Sequence, residues 1–351
     1  MTDFGLSDEL EQLRAAAARV AAEELAPRAR ESEAAGAWPA SALGVLEKLA
    51  LRELDLDEAL GGAGLGCLAK VVVLETLAAG DAGGLAAADQ PGSAAGALAA
   101  CPDRGLARRI AAECLAGAAQ VALAITDPAG PRFRRVTWAP SWPPLRFAFV
   151  NEGDSLRLFE VAGPLEPTRA LAFQASGGVS SSLAGARLLG DWRLPPLAGV
   201  TLRGRARLWC AAVAVGVGQA AFDATVAYAK DRIVFGKPVA HHQGNAFELA
   251  VAATHLAGAR LAVRDAAASF DRGAPDAAFW ATQAWLGAID AAVAVTDLGV
   301  QLLGGHGFLV DHLAEKRFRE ARMLGLLAGG RDSAEADVAE LVPDVPEPLT
   351  S

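Results

Sequence analysis

Cysteine is scarce in this chain: Cys67, Cys101, Cys114 and Cys210 are the four in 351 residues. They are scattered with no CxxC pair, which argues against a disulfide framework and predicts buried, reduced thiols. A basic excess is also lacking. Lys plus Arg number 32 against 41 Asp plus Glu, for a net charge of −9 and a pI near 5.2. Such a balance disfavours nucleic acid or an anionic membrane as the main partner. The longest weakly polar runs, 110–125 and 209–222, are broken by Glu113, Gln120 and Gln219 and fall short of the roughly 20 apolar residues of a bilayer span. Met1-Thr2-Asp3-Phe4 lacks the basic-then-apolar pattern of a secretory leader, so a cytoplasmic location is expected. No His/Cys/carboxylate spacing suggests a metal site.

What is present is mostly helical pattern. Ser7 is placed to cap a helix in which Leu10, Leu13, Ala17, Val20 and Ala21 recur at helical spacing before Pro27. Trp38-Pro39 and the glycines of Leu60–Gly66 punctuate the chain. An apolar helix is expected over 68–79, a Gly/Ala-rich loop over 84–96, and another helix over 102–119. Composition then changes. From Thr126 to about Val200 prolines are frequent, and the segments 145–150 and 156–161 read as a hairpin around Asn151-Glu152-Gly153-Asp154.

Helical periodicity returns at Arg205. Helices are expected to end near Arg232 and to cover 243–272, 275–303 and 311–327, packing as an antiparallel four-helix bundle rich in alanine. The expected organisation is mainly α. An N-terminal helical domain covers 1–124, a small β domain 125–200, a bundle 201–342 and a disordered tail 343–351.

Two segments of the bundle carry the strongest signal: Arg232-Ile233-Val234-Phe235-Gly236, and Gln301-Leu302-Leu303-Gly304-Gly305-His306-Gly307-Phe308. Together they resemble the two C-terminal signatures of the acyl-CoA dehydrogenase family. The order of helices, small β unit and bundle is similar to that family across essentially the whole chain. Leu60–Gly66 resembles its Gly-Gly-x-Gly turn, and Ile125-Thr126-Asp127-Pro128 its Thr-Glu-Pro segment.

The resemblance implies that residues matching Arg232, Phe235, Gln301 and Gly305 reach into the FAD of a neighbouring subunit. The residue types suit that role. A guanidinium presents a planar fork of donors to a pyrophosphate, and Phe235 can pack on the adenosine side. His242 and Gln243 open the next helix, where unpaired N–H groups favour anions. Gln301 can donate an amide hydrogen bond, while Gly304 and Gly305 leave the backbone open to close approach. His306 and His312 are expected to be ordinary loop residues without a partner cluster.

The same resemblance exposes an absence. Removing an α-proton from an acyl-CoA requires a carboxylate within hydrogen-bond reach, its pKa raised by desolvation. Where the family keeps that glutamate, after the segment resembling Glu315–Arg322, this chain has Ala328 followed by Gly329 and Gly330. The alternative base position, before the residue resembling the family's bundle arginine, Arg207, is Ala206. The Thr and Gln that seat FAD in the same subunit are replaced by Gly330 and Asp332. The Trp-x-Thr/Ser strand is not recognisable, and the β domain is shorter than usual.

The reading that follows is a base-less subunit of a heteromeric α2β2 acyl-CoA dehydrogenase, completing the FAD site of a full-length homologue that carries the glutamate. A bulky steroid side-chain thioester is the expected substrate class and electron-transfer flavoprotein the expected acceptor. A homomeric flavin-dependent oxygenase or N-hydroxylase on the same fold, and a non-enzymatic scaffold, remain the alternatives.

Overall fold

The computed structural model describes residues 5–126, 135–168 and 170–342. Helix α1 (Asp8–Val20) starts where Ser7 accepts the Leu10 N–H at 3.3 Å. It does not stop at Pro27. Proline occupies the first turn of a short 3₁₀ segment (Ala26–Arg28), where its missing N–H costs nothing, and helix continues as α2 (Ala29–Ala35). Helices α3 (Ala40–Glu47) and α4 (Gly66–Ala78) follow.

The expected loop over 84–96 is instead α5 (Ala82–Ala88), a 3₁₀ turn and α6 (Ala95–Ala100). Every residue of α5 is buried, and Asp81 caps it by accepting the Gly84 N–H at 2.6 Å. Burial and a cap overrode the low helix propensity of glycine. Helix α7 (Arg104–Leu115) completes the N-terminal layer.

Strand enters earlier than the composition change suggested. The β unit holds β1 (Gln120–Thr126), β2 (Arg135–Ala139), β3 (Leu145–Glu152), β4 (Ser155–Glu160), β5 (Glu166–Pro167), β6 (Val179–Ser182) and β7 (Arg187–Arg193). One sheet runs β1-β3-β4-β7, with β1 parallel to β3 and the β3–β4 hairpin in the expected place; the other runs β2-β6-β5. The expected Asp127-Pro128 segment lies outside the described residues.

The bundle is built on α8 (Ala198–Asp231), α9 (Gln243–Asp271) and α10 (Ala277–Leu303), closed by α11 (Ala314–Leu324) and by α12 (Gly330–Leu341), which the sequence pattern did not show. Small side chains let these helices meet closely. A Cβ on Gly216 of α8 would lie 2.1 Å from the Glu75 carbonyl oxygen of α4. A core of Val71, Leu74, Val213, Val215, Ala284 and Trp285 joins α4 to the bundle.

The expectation that no segment reaches span length is corrected: α8, α9 and Ala277–Phe308 are each long and apolar enough to cross a membrane by length and composition. Polar residues interrupt the runs, yet the mean hydropathies over 18 residues remain 1.5, 1.3 and 1.5. The apolar window of α8 is 67 % buried inside the protein, whereas that of α9 is 28 % buried.

Candidate functional site

Arg232 ends α8 in extended conformation, and the chain turns back through β8 (Ile233–Val234) and β9 (Lys237–Pro238). The two central residues, Phe235 and Gly236, have φ of 48° and 79°. Positive φ at both positions is the type I′ geometry that tight hairpins favour, and glycine suits it while phenylalanine does not. The ring of Phe235 is 93 % exposed. A strained backbone holding an aromatic in solvent is the kind of local cost that persists at binding sites. His242 supports this turn from below: its Nε2 lies 3.0 Å from the Val234 carbonyl, and it precedes α9 without capping it through its side chain.

At the other end, α10 carries exposed Gln301 in its last turn and stops at Gly304, with φ 58° and ψ −134°. A Cβ on Gly304 or Gly305 would meet nothing within 4 Å, so both backbones face open space. The 3₁₀ turn Gly304–Phe308 is pinned at Gly307, where a Cβ would strike the Val300 carbonyl at 2.2 Å.

Packing brings the two motifs together. Val226 and Val234 share a hydrophobic cluster with Leu298 and Leu302. Tyr228, one helical turn before Arg232, places its hydroxyl 3.1 Å from His306 Nδ1. The expectation that His306 and His312 stand apart from any cluster is therefore corrected: the two imidazoles are 5.6 Å apart, each in edge contact with Tyr228. Exposed Ile233, Phe308, Leu309 and Val310 belong to these same segments.

The base position tells the opposite story. Ala328 has φ 53° and begins a run of positive φ with Gly329 and Gly330. It borders a cavity of about 100 Å³, lined among the described residues by Asp89, Gln90, Gln120, Trp138, Trp209 and Leu327. A bound organic ligand ordinarily occupies roughly 300–1,000 Å³. The cavity's one carboxylate among those residues is committed. Asp89 Oδ1 takes the Lys70 ammonium at 2.6 Å and Oδ2 takes the Trp209 indole N–H at 2.6 Å, all buried. Burial alone would lower the Lys70 pKa; Asp89 and then Asp55 override it and hold the ammonium above the ordinary lysine range.

The second base position fares no better. Ala206 is buried, and Arg207 beside it is fully buried, bonding Asp337 at 2.6 Å and the Thr282 hydroxyl at 3.0 Å. Burial pushes the Asp337 carboxyl up; Arg203 and Arg207 reverse this and keep it below the usual carboxylate range.

Sequence reading missed Lys70, Asp89, Trp209, Trp138 and Tyr228. Lys70 and Asp89 lie 19 residues apart on different elements, with no motif to mark the pair. All four thiols are free and buried. Burial raises Cys67 to about 11 and Cys114 and Cys210 to about 12. Among the described residues no His/Cys/Asp/Glu group is arranged to hold a metal ion.

Helices on either side of a small β unit define a mainly α-helical architecture. The chain belongs to the acyl-CoA dehydrogenase family: the N-terminal acyl-CoA dehydrogenase domain matches residues 7–116 and the C-terminal domain residues 201–342. This is an oxidoreductase family whose members use FAD. The Mycobacterium tuberculosis protein named "Probable acyl-CoA dehydrogenase FadE25" is 27 % identical over 365 residues, covering 93 % of each chain. Two solved structures share the fold. Butyryl-CoA dehydrogenase from Megasphaera elsdenii has a TM-score of 0.82 at 20 % identity, covering 97 % of this chain and 99 % of that one. A variant of the Tcur3481-Tcur3483 steroid ACAD has a TM-score of 0.77 at 23 % identity, covering 96 % and 98 %.

Proposed function

We propose that this chain is the base-less subunit of a heteromeric FAD-dependent acyl-CoA dehydrogenase, completing the flavin site of a homologous subunit that carries the catalytic glutamate. The observation that carries this reading is an asymmetry. The face offered to a neighbour keeps every matching residue, exposed and open, while the pocket used at home has an alanine for a base and a salt-bridged pair beside it.

The residues fit the ADP half of FAD. Arg232 and Gln301 would hold the pyrophosphate, Gly304 and Gly305 admit it to the backbone, and Phe235 covers the adenosine side, with His242 bracing the hairpin. FAD, when bound, supplies the hydride acceptor for α,β-desaturation. With alanine at the base position, this chain binds, orients and excludes water for its partner without moving a proton itself.

The substrate class in this reading is a bulky acyl-CoA thioester, a steroid side chain in particular, since a site left empty in one of two subunits gives room to a polycyclic group. The Tcur3481-Tcur3483 steroid ACAD, of the same fold, supports this choice by analogy of fold. Electron-transfer flavoprotein is the acceptor the family suggests, and the reaction is placed in the cytoplasm.

The test is to purify the chain alone and together with a full-length homologue that carries the glutamate, sought first in the adjacent reading frame. Colourless, inactive protein alone and a yellow, active complex is the expected result. A yellow, active chain by itself overturns the reading. In the complex, Arg232→Ala should release FAD.

A further inference from the structure

We propose that His306 is a further nucleotide-binding residue of this face, donating from Nε2 to a phosphate oxygen of the partner-held FAD, and that Tyr228 is the residue that positions it. The inference rests on the shared-flavin reading and extends it to His306, a position within the second signature to which that reading gave no role, and to Tyr228, which lies outside both signatures.

Tyr228 and Arg232 lie four residues apart at the end of α8 and so share one face of that helix. The Tyr228 hydroxyl sits 3.1 Å from His306 Nδ1. That contact holds the ring in a turn packed closely on α10, where a Cβ at Gly307 would lie 2.2 Å from the Val300 carbonyl oxygen. His306 is exposed and follows Gly304 and Gly305, whose backbones face open space.

Chemistry then selects the tautomer. The partner of one ring nitrogen decides which nitrogen carries the proton. A tyrosine hydroxyl can donate or accept. With an anionic oxygen in front of the ring, Tyr228 O–H donates to Nδ1 and Nε2 carries the hydrogen outward. An imidazole held this way loses little rotamer entropy on binding, because the hydroxyl and the His312 ring, 5.6 Å away, already restrict it. The guanidinium of Arg232 and the imidazole of His306 would then approach the pyrophosphate from two sides of one face.

The experiment measures FAD affinity of the reconstituted complex with the base-bearing homologue, using His306→Ala, His306→Gln, Tyr228→Phe and Arg232→Ala in this chain. His306→Ala should weaken FAD binding by about 10- to 100-fold, the usual worth of a hydrogen bond to a charged group. His306→Gln, whose amide can still donate, should recover much of the loss. Tyr228→Phe should weaken binding by a smaller factor, with association of the two apo chains unchanged in each variant. Wild-type affinity in His306→Ala, or no recovery in His306→Gln, overturns the proposal. The result for Arg232→Ala separates the two ideas. If it releases FAD while His306→Ala does not, only the histidine assignment fails; if neither matters, the shared-flavin reading fails with it.

Discussion

The carboxylate of Asp271, the last residue of α9, accepts the backbone N–H groups of Cys67 at 2.6 Å and Leu68 at 2.9 Å. Helix α4 has no side-chain cap of its own, so a residue 204 positions away in sequence caps it and ties the N-terminal layer to the bundle. Asp271→Ala should cost about 1–2 kcal/mol, the usual worth of a helix N-cap. Asp271→Asn keeps an acceptor, loses the charge and should cost less. Urea unfolding, with far-UV dichroism to confirm the native fold, measures both. Equal stability of wild type and Asp271→Ala would mean that solvent caps α4 just as well.

Lys70 and Asp89 make a second prediction, one that separates a structural pair from a catalytic one. Breaking a buried ion pair by removing one partner leaves a charge without compensation and costs about 3–5 kcal/mol, whereas replacing both by apolar residues is often neutral or stabilising. Lys70→Met alone should therefore destabilise strongly. Lys70→Met with Asp89→Leu should recover most of the loss, less the bond that the Trp209 indole gives up. Turnover of the complex should survive the double replacement. Loss of turnover in a stable double variant would show that Asp89 takes part in chemistry.

How far the sequence reveals this molecule depends on whether the cause is local. Ser7, the Asn151–Asp154 turn and the ends of α8 and α10 are set by residues within a few positions of one another, and each is legible. The segment 84–96 is not. Its glycines argue for a loop, and only its enclosure between Trp38, the β unit and α8 makes it helical. The residues proposed to hold the nucleotide stand in contiguous signatures, so they could be proposed before any coordinates. Tyr228 and the histidines could not be linked, because 78 residues separate Tyr228 from His306 and only the α8–α10 packing brings them together. That Ala328 stands where the resemblance expects a glutamate is visible in the sequence; the smallness of the cavity beside it is not.

Glu320 gives a pH prediction. It is buried on α11 beside Lys316, whose ammonium also bonds Asp81 at 2.6 Å. Burial raises the Glu320 carboxyl from its ordinary 4.5 to about 7, against the pull of Lys316 and with Asp81 adding to the rise. An acid with its folded-state pKa raised holds a proton in the native state that the unfolded chain has released. Its contribution to stability therefore falls as pH rises from about 4.5 to about 7 and is level above that window. Glu320→Gln cannot titrate. Unfolding free energies measured at pH 5 and pH 7.5 should fall further for wild type than for the variant across that interval. Parallel behaviour would show that Glu320 ionises as an ordinary glutamate.

Phe235 offers the sharpest contrast between what the isolated chain needs and what the complex needs. Its φ of 48° and 93 % exposure bring the free chain little: among the described residues the ring stands edge-on to His242, 6.4 Å between centroids, and the backbone sits where a bulky L-residue is disfavoured. Asparagine accepts the left-handed region readily, and Asn-Gly is the preferred pair for a type I′ turn. Phe235→Asn should therefore leave the isolated chain as stable as wild type or more stable by up to about 1 kcal/mol. In the proposed complex, the same change would remove the aromatic cover over the adenosine side. FAD should dissociate faster from the assembled pair, while Gly236 and the His242 brace keep the hairpin in place. Thermal unfolding of the free chain and flavin release from the complex, measured on one preparation, decide the matter. A destabilised free chain with unchanged flavin retention would mean that Phe235 serves the fold and not the nucleotide.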